Sequence, residues 1–246
     1  ENAVFYLITC GPGNDFYTTF GHSALLVKDI VLIKDAGGTS ITDTVDIVFN
    51  YGTFDFNTPH FYYNFAKVRL NYSLSISDYT YFIEDYRQEG RSVFLQQLNL
   101  SKEERDTLFK KLIINYQPAH RHYAYDLLRD NCATRIRDLL WSLDSSRYLS
   151  EPQIKAMTYR QLLHPYMHKK LEWWKLGVDL VLGIPCDRPC CLADNLFLPM
   201  ELMRETSIPT QQVLEESKAE LTDSFPPFPC MMLFFLLFMV ISFFEQ

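Results

Sequence analysis

Short apolar runs, some alternating with polar residues, fill the N-terminal part of the chain and predict β-strands. The run AVFYLIT is typical of a buried strand, and the turn residues GPGN follow it. Further strands are predicted at SALLVKD, at VDIVFNY over 45–51, in the alternating series Val68, Leu70, Tyr72, Leu74 and Ile76, and at 92–98.

Helical patterns follow these strands. Ser101 begins a helix that runs to about residue 115, and Glu104 completes a capping box with it. A second helix is predicted to begin near Cys132, because Asp130 and Asn131 before it are good cap residues. Apolar residues then recur at helical spacing: Ile136, Leu139, Leu140 and Leu143.

The later part of the chain predicts a further helical stretch over 154–175 and a charged, polar segment over 201–221 that leads towards a membrane. With strands early and helices late, the order of elements is that of an α+β domain. After the turn-forming FPPFP comes CMMLFFLLFMVISFF, an uncharged run over 230–244. It is shorter than a complete span, and we interpret it as the first part of a transmembrane region; a buried core helix is the alternative.

Composition narrows the classes of function. The net charge of −7 argues against nucleic acid as a partner, because nucleic acid is bound through concentrated Lys and Arg. Neither a CxxC pair nor a Gly-rich phosphate loop occurs. The six cysteines are spaced too irregularly for a disulfide framework, and Cys186, Cys190 and Cys191 lack a fourth ligand at the spacing of a zinc site.

Cys132 is a candidate nucleophile. At a helix N-terminus the dipole can lower the pKa of a thiol, which makes it more reactive. A free cysteine at this position can equally serve as a small apolar residue in the core. The pattern of the helix alone leaves both interpretations open.

A catalytic thiol also needs a base, and His22 is the best placed of the six histidines. It follows a glycine at the start of an apolar strand, where the strand end can hold an imidazole rigidly. His164 and His168 are four residues apart on a later helix, but no acidic residue is spaced with them as a metal ligand, so a solvated helix face is the simpler interpretation. A lone histidine is more often structural, so His22 has both interpretations too.

Five sequence segments, in order along the chain from about residue 4 to residue 202, resemble the periplasmic N-terminal domain of the Lnb-type lipoprotein N-acyltransferases. They are TCGPGNDFYTTFGHSALLVKD, FNYGTFDF, RSVFLQQLNLSKEE, YAYDLLRDNCATRIRD and GIPCDRPCCLADNLFLP. The resemblance implies a circularly permuted papain-like (NlpC/P60-like) fold, in which the His strand precedes the Cys helix, as in the lecithin:retinol acyltransferases. It further implies an antiparallel sheet with packed helices.

The resemblance implies that Cys132 is the nucleophile and that His22 is its base. The third catalytic residue comes from the strand after the His strand, where Asn50 is our choice and Asp55 the alternative. Arg135, one turn after Cys132, can contact a substrate phosphate or form a salt bridge with Asp130 or Asp138.

Tyr51 is a further candidate. It can line the substrate site or donate to an oxyanion, although core packing explains a tyrosine there as well. Asp55, if it is not the third catalytic residue, can also line the site or cap the turn at Gly52.

The resemblance implies a periplasmic acyltransferase-like domain over 1–202, a polar, Pro-rich linker over 203–229 and the start of a transmembrane region over 230–246. The expected reaction passes a fatty acyl group through a Cys132 thioester to the N-terminal amine of a diacylglyceryl-cysteine lipoprotein, at the bacterial inner membrane. The donor is a phospholipid or the lipid-modified lipoprotein itself. This chemistry implies no organic cofactor or metal. The alternatives are a papain-like peptidase or amidase acting on cell-wall peptides, and a non-catalytic scaffold.

Overall fold

The computed structural model of the chain describes residues 3–13, 15, 17–34, 40–54, 71–148, 154–167, 172–191, 195–206 and 208–216. Asp55, His168 and the apolar run over 230–244 lie outside the described residues. Within the described part, no helix is both long enough and apolar enough to cross a membrane.

A seven-stranded antiparallel sheet forms the centre of the molecule, and a two-stranded sheet lies apart from it. The strands are β1 (Val4–Cys10), β2 (His22–Lys34), β3 (Ser40–Thr53), β4 (Asn71–Asp78), β5 (Val93–Leu98), β6 (His122–Ala124), β7 (Ile154–Thr158), β8 (Pro189–Cys191) and β9 (Thr210–Leu214). The large sheet has the order β6-β4-β3-β2-β1-β5-β9, and β7 pairs with β8.

Six α-helices are present among the described residues: α1 (Tyr79–Gln88), α2 (Lys102–Tyr116), α3 (Cys132–Tyr148), α4 (Tyr159–Leu163), α5 (Glu172–Leu182) and α6 (Pro199–Glu205). Short 3-10 helices cover His164–Tyr166 and Ile184–Asp187. The capping box predicted at Ser101 and Glu104 is present at the start of α2.

Both faces of the central strands are buried, which explains why β1 and β2 are almost continuously apolar. On one face, Leu7 and Leu25 belong to a core with Ile136 of α3 and Leu108 of α2. On the other face, alternate residues such as Leu26 pack with residues of α1. A third core joins residues of α4, α5 and the segment before α6. The sheet therefore holds the N-terminus of α3 rigidly against one of its faces.

Within the described residues the predicted strands are confirmed, with shifted ends, and so is the mixed fold with an antiparallel sheet. Val68 and Leu70 of the predicted alternating strand lie outside the described residues. The single helix predicted over 154–175 is wrong. Residues 154–158 form β7, and Pro165 lies in a 3-10 turn before α5. Proline disfavours helical backbone in the residue before it and lacks an N–H, so a continuous helix is interrupted there. Within the predicted polar segment, Thr210–Leu214 forms β9 at the edge of the large sheet.

Candidate active site

The N-terminus of α3 is fixed by Asn131. Its Oδ1 accepts a hydrogen bond of 2.9 Å from the Thr134 backbone N–H, and the Thr134 hydroxyl oxygen accepts one of 2.8 Å from the Asn131 N–H. The Asn131 side-chain amide also donates to the backbone carbonyls of Leu127 and Phe197. Asn131 is thus the cap of α3, and it makes Cys132 the first residue of the helix.

The thiol of Cys132 is buried, with 7% of the residue exposed. Burial raises its pKa to about 11, although backbone N–H groups of Ser23, Ala133 and Cys132 itself act in the opposite direction. The pKa of Cys132 is therefore raised, and the expectation of a lowered pKa at the helix N-terminus is wrong. The dipole and the N–H donors are present, but removal of water from the thiolate outweighs them.

His22 is the first residue of β2, and its Nε2 lies 2.6 Å from Oδ1 of Asn50 on β3. Because this amide oxygen can only accept, Nε2 donates its hydrogen and Nδ1 keeps a free lone pair. Burial lowers the pKa of His22 to about 4, and the positive charge of Arg91 acts in the same direction. The imidazole is thus neutral near pH 7, as a base has to be.

Gly52, at a bulge in β3, lies close to both His22 and Cys132. The register with β4 shifts between Tyr51 and Thr53, and Gly52 between them has a φ of 93°. A Cβ at Gly52 would lie 3.7 Å from His22 Cε1 and 3.8 Å from Cys132 Cβ. Both side chains therefore approach Gly52, which has a conformation that other residues rarely adopt.

The hydroxyl of Tyr123 is also close to Gly52: it lies 3.9 Å from the position that a Cβ at Gly52 would occupy. Tyr123 lies on β6 and is 8% exposed, and its hydroxyl has no hydrogen-bond partner within the described part of the chain. The sequence did not single out this residue, because β6 has three residues and shows no pattern of its own. A buried polar atom without a partner costs free energy, which makes this hydroxyl a candidate to contact a bound ligand.

The remaining candidates have other partners. Arg135 donates to both carboxylate oxygens of Asp130, at 2.6 and 2.8 Å, and its guanidinium lies 3.8 Å from the centre of the Tyr123 ring. The predicted salt bridge with Asp130 is confirmed. Tyr51 is buried, and its hydroxyl accepts a hydrogen bond of 2.8 Å from the side-chain amide of Asn115.

A match to a family model accompanies this geometry. Residues 1–165, about two thirds of the chain, match the model of the Lnb N-terminal periplasmic domain. The chain belongs to this family. Membership indicates a periplasmic location and an enzyme with a lipoprotein-modifying function. No similar curated protein and no similar solved structure was found.

In this Lnb-family domain the candidate dyad opens on a cavity of about 600 Å³. His22, Asn50 and Cys132 line it together with apolar residues of other elements: Phe20, Leu127 and, from α5, Val178 and Leu182. Pockets of this size and polarity are typical of sites for small or lipid-like ligands. The cavity therefore combines a buried thiol, a neutral imidazole and mainly apolar walls.

Metal ligands are not grouped in the described part of the Lnb-family domain, where no three His, Cys, Asp or Glu residues form a cluster suited to a metal ion. Cys186 and Cys190 are buried cysteines of the third core. The Cys190 thiol donates to the Met157 carbonyl at 3.1 Å. These contacts give the two cysteines a packing role.

Proposed function

We propose that this domain is a lipoprotein N-acyltransferase. It would transfer a fatty acyl group through a thioester on Cys132 to the N-terminal amine of diacylglyceryl-cysteine lipoproteins. The observation that carries the proposal is the convergence of Cys132, His22 and Asn50 on one large, mainly apolar cavity. Membership of the Lnb family, with its lipoprotein-modifying function, supports the choice of substrate.

In the first half-reaction, Sγ of Cys132 attacks the carbonyl carbon of an acyl ester. The free Nδ1 of His22 accepts the thiol proton as the S–C bond forms. The ester C–O bond then breaks, and the leaving alkoxide takes this proton from His22. Because burial favours the neutral thiol and the neutral imidazole, proton transfer accompanies the attack and does not precede it.

The carbonyl oxygen gains negative charge during the attack and needs hydrogen-bond donors. Backbone N–H groups of Cys132 and Ala133 lie at the positive end of α3, beside the sulfur. The unpartnered hydroxyl of Tyr123 would add a side-chain donor. Burial raises the pKa of this phenol, so it keeps its proton and remains a donor.

In the second half-reaction, the N-terminal amine of the acceptor attacks the thioester carbonyl. His22 Nδ1 takes a proton from this nitrogen, and the C–S bond breaks as Cys132 regains a proton from His22. The products are an amide and the free thiol. Apolar walls around the thioester would exclude water, which separates a transferase from a hydrolase.

The fold and the location are part of the same proposal. The order of the His strand, the Asn strand and the Cys helix along the chain is that expected of a circularly permuted papain-like domain. The uncharged run over 230–244 supports a membrane anchor, with the main domain in the periplasm and the anchor in the bacterial inner membrane. The acyl donor would be a membrane phospholipid or the glyceryl ester of the lipoprotein itself.

Intact-protein mass spectrometry tests the proposal. The full chain would be incubated with phospholipid vesicles, or with a diacylglyceryl-cysteine peptide, and its mass recorded before and after hydroxylamine treatment. We expect a hydroxylamine-labile acyl mass that Cys132→Ala lacks. Cys186→Ala, which removes another buried free thiol, is the matched control and should keep the mass.

Failure to detect the adduct with either donor would overturn the thioester mechanism. Cleavage of a cell-wall peptide by the wild type, abolished in Cys132→Ala, would then favour the amidase, which uses the same dyad. If Cys132→Ala kept full transfer to a lipoprotein peptide, the cysteine would have only a packing role.

A further inference from the structure

One wall of the catalytic cavity is a single face of α5. Four of its residues line the cavity: Gly177, Val178, Val181 and Leu182. Their spacing of one and four residues places them on the same side of a helix. The cavity therefore extends from the thiol of Cys132 to this helix, and the three side chains that it meets there are all aliphatic.

Gly177 is not explained by its backbone or by its packing. It lies in the middle of α5, where glycine is less favourable than alanine. Its φ is not in the left-handed region, and a Cβ added to it would meet no atom of the described residues within 4 Å. A side chain at this position would therefore occupy open space in the cavity, so the glycine keeps that space free.

Apolar residues outside α5 also line this cavity. Phe20 and Leu127 line the cavity and pack against the third core, together with Leu182. None of the charged residues of α5 lines the cavity, and the acidic Asp179 binds Arg160 and His164. The charged residues that do line it, Glu89 and Arg91, form an ion pair with each other. An uncharged, flexible, elongated ligand fits such a space better than a peptide, whose backbone polar groups would lose their hydrogen bonds there.

We propose that the part of the cavity lined by α5, Phe20 and Leu127 binds the acyl chain carried by Cys132, and that Gly177 sets the chain length that fits. The inference rests on the proposed function and deepens it, because it assigns the substrate's hydrocarbon part to a defined wall. Each methylene group that is buried in the cavity raises the binding constant about fourfold. A methylene group that does not fit contributes no such increase. A side chain placed at Gly177 would thus shift selection towards shorter chains.

Competition between donors measures this selection. Wild type, Gly177→Ala and Gly177→Leu would be given an equimolar series of phospholipids, or of diacylglyceryl peptides, that differ only in acyl length. The readout is the ratio of acyl masses on Cys132. We expect Gly177→Leu to favour chains shorter by several methylenes, with about a fourfold change in ratio for each methylene excluded. Gly177→Ala should shift the ratio less.

Two further variants keep the result interpretable. Leu180→Ala changes the same helix at a residue that is 72% exposed, and it should leave the chain-length ratio unchanged. Val181→Phe fills the same wall from another position, and it should shift the ratio in the direction of Gly177→Leu. Gly177→Ala should also raise the melting temperature, because alanine is the better helix former.

Failure of this inference is distinguishable from failure of the proposed function. Wild type and Gly177→Leu with the same acyl masses in the same ratio would overturn the role of Gly177. No acyl mass on the wild type would overturn the thioester instead. Binding of free fatty acids to Cys132→Ala, followed by thermal shift, then tests the cavity without chemistry. The optimal length should decrease when Gly177→Leu is added, and an unchanged optimum would overturn the inference.

Discussion

Two polar clusters of the molecule differ in how far their polar groups are paired. Around Arg160, the guanidinium donates to the carboxylates of Asp179 and Asp187 and to the Gly183 carbonyl, while His164 binds Asp179. Hydrogen bonds from Arg160 lower the pKa of Asp187. This cluster joins α4, α5 and the 3-10 helix that follows, and each of its charged groups has a partner of opposite charge within it.

Around Cys132 the pairing is incomplete. The Tyr123 hydroxyl and one terminal nitrogen of Arg91 are buried without a hydrogen-bond partner within the described residues. Nδ1 of His22 keeps a lone pair because Nε2 binds Asn50. We infer that the fully paired cluster stabilises the fold. The buried cluster around Cys132 keeps donors and acceptors that a bound ligand can use.

Removal of one histidine from each cluster should distinguish the reactive cluster around Cys132 from the stabilising cluster around Arg160 most strongly. We expect His22→Ala to lower the rate of Cys132 acylation about 10³-fold, because the thiol loses its base. His164→Ala, the matched variant in the Arg160 cluster, should keep the wild-type rate and lower the melting temperature. Acyl mass against time gives both rates. Equal rates for the two variants would remove the distinction between the clusters.

Substitution of Tyr123 by Phe removes one hydroxyl and keeps the ring beneath Arg135. We expect the acylation rate to fall about 10²-fold, as for the loss of one oxyanion donor. Stability should stay the same or rise, since the hydroxyl is buried without a partner within the described part of the chain. The rate and the urea unfolding midpoint measure the two effects. A wild-type rate in Tyr123→Phe would exclude the hydroxyl from the reaction.

The pH dependence of acylation tests the state of His22. Because its pKa is lowered to about 4, the imidazole remains a base well below pH 6.5, the ordinary value for histidine. The rate should be constant down to about pH 5 and fall about tenfold per pH unit below about pH 4. A rate profile with its midpoint near pH 6.5 would contradict the lowered pKa of His22.

The lowered pKa of His22 also makes the stability of the folded protein depend on pH. Between pH 6.5 and about 4 the unfolded chain binds a proton at His22 and the folded chain does not, so the free energy of unfolding falls as the pH falls through this window. His22→Gln should weaken that dependence. Urea unfolding at several pH values would measure it, with His164→Gln as the comparison.

Much of the fold could be predicted from the sequence because its signals are local. Alternating or continuous apolar runs marked the strands, and Ser101 with Glu104 marked the start of α2. The cap at Asn131 placed Cys132 at the start of α3. The pattern over 154–175 failed because Pro165 and the partner strand β8 decide that region, and the partner lies about thirty residues away.

The active site could be predicted only in part. Cys132 and His22 each stood at a recognisable start of an element, but their proximity depends on the pairing of β1, β2 and β3. Nothing near Tyr123 in the sequence marked it, because its significance comes from the bulge at Gly52 and from a hydroxyl left without a partner in the described structure. Gly177 likewise acquires meaning only from the space beside it.

The sequence by itself determined the order and type of most elements, the family, and the two residues that carry the proposed chemistry. Only the tertiary structure decided the tautomer of His22, the direction of the pKa shift at Cys132 and the walls of the cavity. The physical reason is the distance along the chain over which each effect acts. Periodicity and caps act over a few residues, whereas desolvation and hydrogen bonds between strands depend on groups that the fold brings together from distant parts of the chain.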